Sequence, residues 1–150
     1  MVLKIGIAES DDEITACYGV MSQLRPHVAE ADFLPRVREQ ARAGYRLAYV
    51  ENAGQPVAAA GFRISENLAW GRFLYVDDLV TGADHRSQGY GAALLSWLKT
   101  YAVGQGCAQL HLDSGHQRKD AHRFYEREGV CSTGYHFAQV LMADDPRFRS

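Results

Sequence analysis

The sequence carries no excess of either charge: 16 Lys and Arg stand against 18 Asp and Glu, a formal net charge of −2. That balance leaves no electrostatic footprint for nucleic acid or for an anionic membrane surface. No apolar run approaches the roughly 20 residues that a membrane-spanning helix needs. The opening MVLKIGIAES has neither the long apolar stretch nor the small-residue cleavage site of a secretory signal. Cysteine is scarce too. Cys17, Cys107 and Cys131 are odd in number, far apart and without a Cys-x-x-Cys pair, which implies reduced thiols and a cytoplasmic location. No repeat, low-complexity tract or Pro/Gly/Ser linker divides the chain, so residues 1–150 read as a single domain, long enough to bury a core.

What is present is a regular alternation of strand and helix signals. VLKIGIA reads as a first strand. Ser10 and Glu13 form a capping box ahead of Ile14, Cys17, Tyr18, Met21 and Leu24, which recur at helical spacing. A second helix is predicted from about Phe33 to Gly44. YRLAYVEN, VAAAGFRIS and RFLYVDDLVT follow as three strands with short connections, hence antiparallel. From Tyr90 to about Val103, the residues Leu94, Leu95, Leu98, Tyr101 and Ala102 make one apolar stripe. CAQLHLDSG reads as a strand, DAHRFYEREG as a short helix ending at Gly129, and GYHFAQVLM as a final strand. The predicted order is β-α-α-β-β-β-α-β-α-β, an α/β or α+β domain with a mixed sheet.

The stretch HRSQGYGAALL (85–95) sets two glycines where a helix begins, although each is worse there than alanine by roughly 1 kcal/mol. A helix start offers free N–H groups and a positive dipole end, so an anion is the natural ligand. The loop is not a P-loop, because no Lys follows the glycines until Lys99. Nor is it a dinucleotide fingerprint, because Leu94 stands where a third glycine belongs. The alternative is that Gly89 and Gly91 only let the helix pack closely on the sheet.

Arg86-x-x-Gly89-x-Gly91 after a strand ending in DDLVT, followed by the A-x-x-F-Y-E run Ala121–Glu126, resembles the GCN5-related N-acetyltransferase (GNAT) family. The specific part of the resemblance runs from about Tyr75 to Gly129, and the element order agrees over most of the chain. The resemblance implies a mixed central sheet splayed between strands 4 and 5, with acetyl-coenzyme A wedged in the opening as co-substrate. By position, the backbone N–H groups of Ser87, Gln88, Gly89, Tyr90, Gly91 and Ala92 would cradle the pyrophosphate, with Arg86 a further coenzyme-binding residue. Leu79, Val80 and Thr81 would pair with the pantetheine arm. Many members have Asn three residues before the alanine of A-x-x-F-Y; Arg118 stands there in this chain, and with Lys119 it either meets a coenzyme phosphate by charge or forms a solvated basic helix start. The resemblance implies no metal, and it leaves room for a homodimer.

The implied reaction is direct attack of a primary amine on the thioester in a ternary complex. Tyr125 aligns with the tyrosine that faces the coenzyme sulfur in many members and can protonate the leaving thiolate. Some members carry a glutamate on the fourth strand where Tyr75 stands here. Strand alternation puts Asp77 on the face of Tyr75 and Asp78 on the other, so Asp77 is the candidate base. Glu51 and His136 are weaker candidates, and ordered water can replace any single base. His111, Asp113, His116 and His122 lack a recognised metal-ligand spacing. Ser114 lacks a nucleophile elbow, and Cys107 reads as core. The amine, on a small molecule or a protein, is expected against Leu24 to Phe33 and Ser132 to Phe137, with Glu30 and Asp32 able to attract a cation. The rival reading is a non-catalytic acyl-coenzyme A-binding regulatory module.

Overall fold

The structure, a computed structural model, describes residues 3–142. Its elements are β1 (Lys4–Ile7), α1 (Asp11–Ala16), α2 (Tyr18–Leu24), α3 (Glu30–Ala41), β2 (Arg46–Asn52), β3 (Gln55–Asn67), β4 (Gly71–Thr81), α4 (Tyr90–Gly104), β5 (Gln109–Leu112) and α5 (Lys119–Arg127). The chain falls into two compact units that meet in sequence between Leu112 and Asp113.

The first unit holds a five-stranded sheet in the order β1-β2-β3-β4-β5. The first three pairings are antiparallel and β4 with β5 is parallel, since α4 carries the chain back to the starting end of the sheet. The expected mixed α+β architecture is therefore present. One face of the sheet packs α1–α3 through Ile14, Met21, Phe33 and Val37. The other packs α4 through Leu94, Leu98 and Ala102, the stripe read from the sequence. Fully burying each such aliphatic side chain contributes about 1.5–3 kcal/mol.

Three local expectations are corrected. The first predicted helix is two, α1 and α2, because Cys17 N–H donates to the carbonyl of Ile14, three residues back, and tightens the turn. The second starts at Glu30, not Phe33: Pro35 stands early in α3, where its missing N–H removes a single ladder bond. The final strand predicted over 134–142 is not formed. Those residues pair with no strand, and Tyr135, Phe137 and Leu141 are exposed. Alternating apolar residues favour a strand only where a ladder and a covered face receive them.

The register of β3 against β4 has one further irregularity. Gly61 pairs with Asp78 and Phe62 with Val76, leaving Asp77 as an extra residue on β4. Such a bulge inverts the in/out alternation beyond it. Leu74 and Val76 accordingly lie in the α4 core, whereas Val80, of the same parity, lies in the α1–α3 core.

Candidate functional site

The segment that runs from β4 into α4 combines an open strand edge with an uncapped helix start. β5 pairs with β4 only from Phe73 to Val76, so no strand pairs with that side of Asp77–Thr81 among the described residues. On its other side Leu79 pairs with Ala60, Val80 with Ala59 and Thr81 with Ala58. This is the opening between strands 4 and 5, and it leaves alternate backbone groups of Leu79, Val80 and Thr81 without a ladder partner. A single 3₁₀ turn, Ala83–His85, then leads to the exposed residues Arg86, Ser87, Gln88 and Gly89.

Gly89 is the N-cap of α4, with φ +85° and no side-chain cap. Ser87 is also left-handed, at φ +65°. The N–H groups of Tyr90, Gly91 and Ala92, in the first turn, have no partner within the helix. A Cβ on Gly89 would meet no atom within 4 Å, so close packing does not account for this glycine. Its positive φ does, and the space before it is open. The Tyr90 side chain turns the other way, buried, its hydroxyl accepting from Asn52 Nδ2 at 2.7 Å. That contact pins the first turn of α4 to the sheet.

Beside the bulge lies a cavity of about 400 Å³ walled by α2, α3 and the sheet. The bulge brings both carboxylates into it, Asp77 and Asp78, which corrects the expectation that they face opposite ways. Each is held. Arg63 donates to Asp77 through Nε and Nη2, at 2.7 and 2.8 Å, and its guanidinium lies 5.5 Å from the Tyr75 ring centre. The bond to Asp77 raises the pKa of Arg63 above its already high ordinary value. Arg25 donates from Nε to Asp78 at 2.8 Å and from Nη2 to the Asp77 carbonyl at 3.0 Å. The Tyr45 hydroxyl donates to the other Asp78 oxygen at 2.8 Å. Burial first, and the charge of Asp78 second, push the Tyr45 pKa well up and keep it a neutral donor. Val28 and Phe33 also line the cavity, from the segment 24–33 expected to wall the acceptor, whereas Glu30, Asp32 and Glu51 do not line it.

In the second unit, Arg118 is the N-cap of α5 and Tyr125 is buried within that helix. Burial raises the phenol's pKa above the ordinary tyrosine value, and the Arg118 charge opposes that rise. His122 Nε2 lies 2.8 Å from the Gly115 carbonyl, and His136 Nδ1 lies 3.4 Å from Asp113. In the first unit, His111 stacks on Trp70 with ring centres 3.5 Å apart.

Tyr45, Gly61 and Arg63 were missed in the sequence, and Arg25 lies in the expected segment 24–33 without having been singled out. Gly61 carried a signal. A Cβ there would stand 1.8 Å from the Tyr45 hydroxyl oxygen and 2.6 Å from Asp78 Oδ2. A lone glycine inside a strand marks a bulge or a close approach, and at this position it marks both. The arginines carried none, because their roles depend on pairings far apart in sequence.

The sequence matches the Acetyltransferase (GNAT) family over residues 7–130. It is 36% identical over 136 residues to the uncharacterized N-acetyltransferase YhdJ of Bacillus subtilis, covering 88% of this chain and 94% of that one. It is 35% identical over 66 residues to the aminoalkylphosphonate N-acetyltransferase of Salmonella typhimurium, 44% of this chain and 43% of that one. Among solved structures, the fold is similar to glucosamine-6-phosphate N-acetyltransferase from Arabidopsis thaliana, with TM-score 0.76, 19% identity and coverage of 94% and 99% of the two chains. It is also similar to the aminoglycoside N-acetyltransferase AAC(6')-Iy in complex with CoA, with TM-score 0.82, 13% identity and coverage of 95% and 97%. On the strength of the family match and the homology to YhdJ, this chain belongs to the acetyltransferase (GNAT) family.

Proposed function

We propose that the protein is an acetyl-coenzyme A-dependent N-acetyltransferase, one catalytic domain over residues 1–150, that acetylates a primary amine by direct attack in a ternary complex. The observation that carries this reading is the continuity of β4: the cavity carboxylates Asp77 and Asp78, the open edge Leu79–Thr81 and the uncapped start of α4 follow one another. At about 3.3 Å per residue, a strand sets an acceptor pocket and a donor groove within about 10 Å. The left-handed Gly89, with open space before it, suits the coenzyme's pyrophosphate at the N–H groups of Ser87 to Ala92. Arg86 and Arg118 would supply charge to the phosphates, and Leu79, Val80 and Thr81 would pair with the pantetheine arm.

In the reaction the amine nitrogen bonds to the thioester carbonyl carbon and the C–S bond breaks. A backbone N–H of Leu79 or Val80 would hold the oxyanion. Asp77, or water in the cavity, would take the proton that the nitrogen loses. Tyr125 would return a proton to the departing thiolate. Its raised pKa keeps it protonated at neutral pH, and the thiolate is a competent acceptor, with a pKa of about 8.5 if it behaves like cysteine. The acceptors named for the relatives differ among themselves, so the acceptor is not carried over from any of them.

Thiol release from acetyl-coenzyme A, followed over a panel of primary amines beside calorimetry of coenzyme binding, tests the proposal. Amine-dependent release is expected. Tight coenzyme binding with no release by any amine would favour a non-catalytic binding module instead.

A further inference from the structure

The cavity beside the bulge is more selective than a generic amine site. Its two carboxylates are already matched, Asp77 by Arg63 and Asp78 by Arg25. They therefore present no surplus negative charge to a second ammonium. A third arginine, Arg36, lines the same cavity from α3, one residue before the buried Val37. Neither Arg36 nor His27, which also lines it, has an ion-pair or hydrogen-bond partner among the described residues. The paired arginines are not exhausted, for among the described residues Arg25 and Arg63 use only Nε and Nη2, which leaves Nη1 of each for a ligand. Leaving His27 aside, three arginines line the cavity against two aspartates, one positive charge more than negative. Guanidinium groups facing one space match carboxylate and phosphate-type oxygens.

We infer that the acceptor is a small amine that also carries an anionic group, a carboxylate or a phosphonate or phosphate, with Arg36 as the principal seat of the anion. The amine end then lies toward Asp77 and Asp78, at the end of the cavity nearest the open edge of β4, while the anion stays at the α3 side. This inference rests on the acetyltransferase reading. It excludes polyamines as preferred acceptors, because a second ammonium would meet the unpaired arginine.

The test compares aminoethylphosphonate and β-alanine with ethylamine and putrescine. Turnover is measured from thiol release, and binding of each amine is measured separately by calorimetry, with wild type, Arg36→Gln and Arg36→Lys. Arg36 is exposed on a helix, so the variants should fold; unchanged coenzyme affinity checks this. An anionic amine should have a kcat/KM at least about tenfold above ethylamine. Arg36→Gln should raise its KM by about tenfold with kcat nearly unchanged, and Arg36→Lys should restore part of the loss. The ratio of aminoethylphosphonate to β-alanine separates a phosphonate seat from a carboxylate seat. Equal or better use of ethylamine or putrescine, or an equal effect of Arg36→Gln on every amine, overturns the inference. If no amine is acetylated, the acetyltransferase reading fails, yet the binding arm still decides. Aminoethylphosphonate or β-alanine binding that Arg36→Gln abolishes supports the anion seat, and no binding of either overturns it.

Discussion

Gly89 carries two separable demands, and a pair of substitutions distinguishes them. Its φ of +85° strains any branched residue, whereas asparagine tolerates the left-handed region. A Cβ at this position meets nothing within 4 Å in the protein itself. Gly89→Val should therefore lose stability and coenzyme affinity together. Gly89→Asn should fold normally and still bind the coenzyme at least about tenfold more weakly, since its side chain stands where the phosphates approach. Calorimetry beside thermal unfolding reads both, and an Asn variant with native affinity would remove the loop from the phosphate site. Tyr125 makes a second residue-scale prediction. Tyr125→Phe keeps the buried ring and removes the proton, so turnover should fall by about tenfold to a thousandfold while coenzyme affinity holds. Gly89 was legible because backbone conformation dictates it: a left-handed helix cap selects glycine whatever surrounds it. Arg36 and Arg63 were not legible, since an arginine's partner is fixed by the fold and not by its neighbours in sequence.

At the scale of elements, the capping box of α1 shows a local rule that holds. Ser10 Oγ accepts from the Glu13 N–H, and the Glu13 carboxylate accepts from the N–H groups of Ser10 and Glu9. These bonds lower the Glu13 pKa from 4.5 to about 2. A depressed carboxylate stabilises the fold above its unfolded pKa, and that contribution is lost as pH falls through the folded value. The stability difference between wild type and Glu13→Gln should thus be constant above about pH 5 and shrink as the pH drops toward 2. A difference independent of pH in chemical denaturation would show that the carboxylate bonds contribute nothing. The bulge on β4 is the opposite case. Plain alternation placed Asp77 and Asp78 on opposite faces; one extra residue set both in the cavity. Only Gly61 hinted at it. GYHFAQVLM misled in the other direction, since its pattern promised a strand that no neighbouring strand receives. For the bulge itself, Asp77→Asn should cut turnover near neutral pH and recover partly at high pH, where more amine arrives deprotonated. A pH–rate profile parallel to wild type and within about threefold of it would leave water as the base.

For the molecule as a whole, the decisive distinction is between one chemical step and two. A covalent route would need a nucleophile that takes the acetyl group before the amine arrives, and cysteine is the residue type best suited to hold it. Cys17 is fully buried, and desolvation, with the nearby Glu13 charge adding to it, pushes its pKa up to about 12. As the thiolate is the reactive form, this thiol is inert near neutral pH. Cys107 is half-buried and packs against the α4 core, as its place before an apolar strand suggested. Cys131 is exposed, and it lies outside the cavity lining and the loop that starts α4. The pocket and the open strand edge instead succeed one another along β4, an arrangement that suits both substrates bound at once. Initial rates measured over a grid of acetyl-coenzyme A and amine concentrations should give intersecting double-reciprocal lines, the signature of a ternary complex. Cys131→Ser should leave the pattern and the rate within about twofold of wild type, the expectation when no thiol carries the acetyl group. Parallel lines, or an acetylated protein isolated in the absence of amine, would replace direct attack by a two-step transfer.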